Sequence, residues 1–252
     1  RSSDLSSRSR SAPTPHVLTS LTLDDCGLCI QLNPTQDKLY YLKNKSQSKV
    51  VVEVDLTTQS FNKRMIEFTH GDIRQVQVLQ ESIYSINCKG IVQVYRFRGE
   101  EFKEVRVSTS SKGGVMADSM VIDNFTVSLD EKLIAVTGCE PKKKGAFKNL
   151  IFIFEAKKLK KLCTASLKVR SEDAGAIKKM GIFNSRQGTP LLAAVTEGSY
   201  SFYLWEIKET DLRLLCKKDN IHTKYIYDLV YYEGNFFTCS DDCKFNKIAL
   251  IA

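Results

Sequence analysis

Three histidines, eight cysteines and several lysine clusters are the side chains in this sequence with chemistry to offer. His70 and His222 each precede an apolar run, Ile73 to Leu79 and Tyr225 to Tyr232, so they occupy one repeat position. A catalytic or metal-binding histidine needs converging partners. A shared place in a repeat points instead to structural hydrogen bonding. Thr238 and Asp242 follow His222. They would suit a nucleophile beside an acid, and they fit a structural set better. Cys26-Gly27-Leu28-Cys29 has the spacing of a metal or redox pair. Zinc sites usually combine two such pairs, and Cys239 and Cys243 are the only near candidates. A redox pair should open a helix, whereas Asn33-Pro34 ends this segment as a turn. No metal and no cofactor are expected. No glycine-rich phosphate loop, nucleophile elbow or metal-ligand helix is present, so no catalytic residue is assigned and the chain is not expected to be an enzyme.

The lysines form three groups: Lys142-Lys143-Lys144 with Lys148, Lys157-Lys158 with Lys160-Lys161, and Lys178-Lys179. Such groups can hold phosphates of RNA, of acidic lipid or of a phosphorylated partner. They can equally be solvated loops. The chain carries a net charge of +8 with a pI near 9.0, which suits a basic surface without by itself arguing for nucleic acid.

The elements that position these groups read as strands. Short apolar runs alternate with turn signals from His16 to the end. One strand, His16 to Leu23, comes first. Four cycles of four strands follow, then a final cycle of three, Tyr225 to Tyr232, Phe236 to Ser240 and Phe245 to Ile251. The third strands end on bulky residues, Val54, Tyr95, Phe154, Trp205 and Ile248, which lie 41, 59, 51 and 43 residues apart. A repeat of about 40–50 residues made of four strands is a propeller blade. The expected fold is all-β: a propeller of about five four-stranded blades over residues 16–252, closed by the N-terminal strand as the fourth strand of the last blade. Closure of that kind removes sheet edges. Residues 1–15, rich in Ser, Arg and Pro, are expected to be a disordered tail or linker. The first residue is Arg rather than Met, as in a domain excised from a longer protein.

Two stretches resemble the WD40 repeat family. One is His70-Gly71-Asp72-Ile73 followed by Ile83 to Gly90 and Val94-Tyr95-Arg96. The other is His222-Thr223-Lys224-Tyr225 followed by Phe236 to Asp242. The resemblance implies a buried hydrogen-bonded set of His, Ser or Thr, Asp and Trp. His222, Thr238 and Asp242 match it in the last cycle, where Ile248 replaces the Trp. The fourth cycle supplies Trp205-Glu206 but no His, and the second has His70 with Asn87 and Tyr95. His70, Trp205, His222, Thr238 and Asp242 are thus expected to be structural.

With 42% hydrophobic residues the chain can bury a large core. No apolar run approaches the roughly 18 residues that span a bilayer, and the N-terminus has no apolar signal-peptide core. Cys139, Cys163, Cys216 and Cys239 sit singly in apolar patterns, which suits a reducing cytoplasm or nucleus. The function expected is a noncatalytic scaffold or adaptor that docks a protein or peptide on one loop face. That face gathers Asp72, Arg74, Lys178, Lys179, Lys224, Tyr225 and Tyr227, because the first strands of a propeller begin there. The alternative is an RNA- or acidic-lipid-binding propeller using Lys142, Lys143, Lys144 and Lys148 with Lys178 and Lys179.

Overall fold

A computed structural model describes residues 26–43, 49–58, 61–107, 121–141, 147–167 and 177–249. These residues form five antiparallel sheets, and no helix occurs among them. The first sheet is β1 (Cys26–Leu32), β2 (Lys38–Lys43), β3 (Val50–Asp55) and β4 (Lys63–Glu67). The second is β5 (Ile73–Val78), β6 (Ser82–Asn87), β7 (Ile91–Arg96) and β8 (Glu101–Arg106). The third is β9 (Val121–Val127), β10 (Leu133–Pro141), β11 (Phe147–Glu155) and β12 (Lys160–Leu167). The fourth is β13 (Ile177–Asn184), β14 (Pro190–Thr196), β15 (Phe202–Ile207) and β16 (Leu212–Lys218). The fifth is β17 (Ile226–Tyr232), β18 (Asn235–Ser240) and β19 (Phe245–Ala249). Each sheet is a meander in chain order, with neighbouring strands joined by short turns.

The strands follow from period-two alternation with both faces apolar. In β6 all six residues are buried, and in β14 six of seven. Such strands need a sheet against each face. The outermost strands β8 and β16 are almost wholly exposed, so they close each blade toward solvent. Successive blades supply the covering sheets. Tyr40, Leu42, Val51 and Ile66 of the first blade pack on Val76, Val78, Ile83 and Tyr95 of the second. Tyr84, Ile86, Val92 and Val94 meet Ile134, Val136, Phe125 and Phe152 of the third. Ala135, Ile151 and Ile153 meet Leu192, Ala194, Tyr203 and Trp205 of the fourth. Leu191, Ala193, Val195 and Phe202 meet Ile226, Leu229 and Phe236 of the fifth. The first strands β1, β5, β9, β13 and β17 run side by side through this series and line its axis.

The blade count and the strand plan agree with the alternation read from the sequence. The expected strand His16–Leu23 and the Ser/Arg/Pro-rich segment lie outside the described residues, and so do Lys142, Lys143 and Lys144. The fifth sheet has three strands among the described residues. One hairpin is longer than expected. β10 and β11 pair without a break out to Pro141 and Phe147, so the backbone of Lys148 sits in a strand opposite Glu140 rather than in a loop.

The two end faces of the series differ. On the first blade Tyr41, Val52 and Val54 are buried away from the second blade. On the fifth blade the corresponding outward face is not covered by any other sheet among the described residues: Val230 is 51% exposed, Tyr232 62% and Phe245 68%. With Phe237 and Cys239 they border a shallow hollow of about 410 Å³. Among the described residues no buried apolar cluster joins the fifth blade to the first.

Candidate functional site

The first strands carry polar side chains on the faces that look toward the next blade, and these staple the blades together. Gln31 Nε2 donates to Val76 O at 2.8 Å while its Oε1 accepts from Val78 N at 2.8 Å. Gln75 repeats the pattern on Phe125, with both bonds at 3.2 Å. Gln77 repeats it on Val127, at 2.9 and 2.8 Å. Asn124 Nδ2 donates to Lys178 O at 2.6 Å. At the fourth junction Lys179 takes that place and meets Asp228 at 3.7 Å. A first strand has a ladder partner on one side only, so its other edge leaves main-chain groups that need partners. The amides supply them. In β13 the next such position is Gly181. A Cβ there would lie 2.3 Å from the Phe183 ring, and that ring is turned onto Phe236 and Tyr231 of the fifth blade.

Between the first strands of the first four blades lies an axial cavity of about 310 Å³. Gln31, Arg74, Gln75, Asn124 and Lys179 give its polar walls, and Ile30, Ile86 and Ile122 its apolar ones. No Asp or Glu among the described residues lines it. Arg74 is exposed and, among the described residues, reaches only the Ile122 carbonyl, with Nη1 3.4 Å from the oxygen.

Of the expected docking residues, Arg74 and Lys179 line this cavity. Lys178 pairs with Glu197 at 2.7 Å, and its ammonium stands 5.8 Å from the centre of the Tyr225 ring. That is a cation–π distance. Tyr225 and Tyr227 meet edge to face at 5.3 Å and are both exposed. The Tyr227 hydroxyl donates to Asp241, and that bond raises the phenol above its ordinary range. Lys224 is exposed, and Asp72 is exposed in a left-handed turn with φ of 57°.

His222, Thr238 and Asp242 come together as one buried set. His222 Nε2 lies 2.8 Å from Thr238 Oγ1, and Nδ1 lies 3.1 Å from both Asp242 oxygens. Asp242 also accepts from the backbone N–H of Thr223 and of Lys244, each at 3.0 Å. Burial alone would push its carboxyl up. The Thr223 N–H, the His222 ring and the Lys244 N–H together hold it well below the usual carboxylate range. Asn246 completes the set by contacting His222 Nε2 at 3.3 Å and donating to the Ile221 carbonyl. His70 is placed differently. Its ring is half-exposed and meets Glu104 on the outer strand at 3.1 Å. Ser85 stands at the position of Thr238 and is buried, while Asn87, at the position of Ser240, spends its Oδ1 on the N–H groups of Lys89 and Ile91 within its own turn. Trp205 is buried and stacked on Tyr203 with the rings 5° from parallel.

Cys88, Cys163, Cys216, Cys239 and Cys243 are free thiols. Cys163 is buried and its thiol is pushed up to about 11, whereas Cys216 faces outward on β16. Among the described residues no group of His, Cys, Asp and Glu could hold a metal ion, and no helix is long and apolar enough to cross a membrane.

No family pattern matches the chain, and no curated protein is similar to it. Solved structures are. The complex of KlAtg21 with the coiled-coil of AgAtg16 superposes with a TM-score of 0.63 at 12% identity, over 92% of this chain and 69% of that one. The beta-propeller domain of Myceliophteria thermophila Cps50 (Swd1) gives 0.54 at 10% identity, over 88% and 72%. In fold, the chain is a β-propeller. At such identity the likeness carries architecture alone, and the residues of this propeller must speak for its function.

The polar staples were missed in the sequence. The signal was present as Gln31, Gln75, Gln77 and Asn124, amides at alternate positions of otherwise apolar first strands.

Proposed function

We propose that this propeller is a noncatalytic adaptor that docks a protein or peptide on the face where its first strands begin. The observation that carries this reading is the exposed Tyr225–Tyr227 pair, held edge to face beside Lys178. Rigid aromatic rings next to cations give large contact area with a polar handle, the usual makeup of an interface anchor. The coiled-coil bound to KlAtg21 supports it, since that propeller takes a protein partner. RNA or acidic lipid is the weaker reading. Lys178 and Lys179 each already face a carboxylate, Glu197 and Asp228, which lowers the free positive potential of the patch.

The test is to immobilise the protein and compare, by quantitative mass spectrometry, what wild type, Arg74→Ala and Tyr225→Ala retain. The variants are expected to lose the same partners with little change in thermal stability. If both variants unfold early, these side chains are structural. If both retain every partner, the opposite rim near Lys157 to Lys161 becomes the docking face.

A further inference from the structure

We infer that the axial cavity receives an acidic side chain of a docked peptide, a carboxylate held between Arg74 and Lys179. This inference rests on the docking reading above and names the chemistry of the partner.

The cavity carries two cations and, among the described residues, no acid. Arg74 makes no ion pair among those residues, and its one bond, to a backbone carbonyl, is long. A guanidinium favours a carboxylate over a carbonyl, because charge-assisted, forked bonds are roughly twice as strong as neutral ones. Lys179 does have a partner in Asp228, but the pair is 3.7 Å apart and both side chains are about half-exposed. A solvent-screened pair of this kind contributes little, so an incoming carboxylate can share or replace it.

The walls fit the same guest. Gln31 and Gln75 each use both ends of their amides on the neighbouring strand, so they hold the cavity open without competing for the cations. Ile30, which is exposed, presents an apolar surface for the methylene stem of a glutamate. A phosphate has no such stem, and a nucleic acid or lipid headgroup would call for more cations than two. Lys179 in the cavity wall is next in the chain to Lys178, whose ammonium stands over the Tyr225 ring, so a peptide lying on the aromatic pair would extend one acidic side chain toward the cavity.

The experiment uses the whole chain and a short fluorescein-labelled peptide that alternates glutamate with tyrosine, paired with its glutamine counterpart. Fluorescence anisotropy at low and at physiological salt reads the affinity. The glutamate peptide is expected to bind about tenfold or more tightly than the glutamine one, the worth of one charged hydrogen bond. Arg74→Gln and Lys179→Gln should each abolish that preference, Asp228→Asn should increase it, and Lys157→Gln on the opposite rim should leave it unchanged. Equal affinity for the two peptides, or binding of neither, overturns the acidic guest. Equal affinity with both peptides weakened by Tyr225→Ala would do so while leaving the docking face itself in place. Displacement of the glutamate peptide by poly-uridylate, with affinity lost steeply in salt, would overturn it in favour of a nucleic-acid site.

Discussion

At Asp242 a carboxylate accepts hydrogen bonds from His222 and from the backbone N–H groups of Thr223 and Lys244, and so ties the start of the fifth blade to its second turn. Its folded carboxyl titrates below the ordinary 3.8. The stabilisation it gives is therefore fully present above that value and is lost as the pH falls toward the folded one. Asp242→Asn is expected to lower the melting temperature at neutral pH and to flatten the acid limb of a plot of melting temperature against pH below about 4. Identical acid limbs in the two proteins would refute this. The set was legible because His, Thr and Asp stand at the spacing of one repeat. The divergence at His70 was not: Ser85 keeps a hydroxyl at the place of Thr238, and only the structure shows the His70 ring turned outward to Glu104.

At the scale of the element, the first strands are held by side chains as well as by ladders. Gln77→Leu keeps the size of the side chain and leaves the N–H and C=O of Val127 without their partner. An unmet buried pair of this kind costs about 1–3 kcal/mol. Urea denaturation should show a loss of that order for Gln77→Leu. Gln187→Leu, in an exposed turn, should change stability by no more than about 0.5 kcal/mol. A loss no larger than that of the turn variant would mean that water replaces the staple. Strand positions were legible to within a residue or two for most elements, because alternation and turn residues mark them locally. The staples were not, since alternate polar residues in a strand read as a solvent-facing side. In this ring the alternate side of a first strand faces the backbone of the next blade. The hairpin of β10 and β11 was underestimated for a similar reason: Pro141 and the lysines after it read as loop, while the pairing register carries the strands through Pro141.

For the whole molecule, five repeats and all-β character were readable from the spacing of bulky residues alone, and the fold follows that plan. Which blade faces find a covering sheet was not readable. Val230, Tyr232, Phe237 and Phe245 look like the buried alternation of the other blades, and only the structure shows that no other sheet among the described residues covers them. This uncovered side makes the molecule polar in a colloidal sense, like a stack of plates with one greased end. The dye anilinonaphthalene sulfonate should brighten on the native protein without any unfolding, because it reports accessible apolar clusters. Phe245→Ser and Tyr232→Ser should dim it with little change in the melting temperature. Undiminished brightness in both would place the dye elsewhere. The same asymmetry implies that mild detergent or a rise in protein concentration acts first at the fifth blade, so turbidity on concentration should fall with the dye signal in the two serine variants.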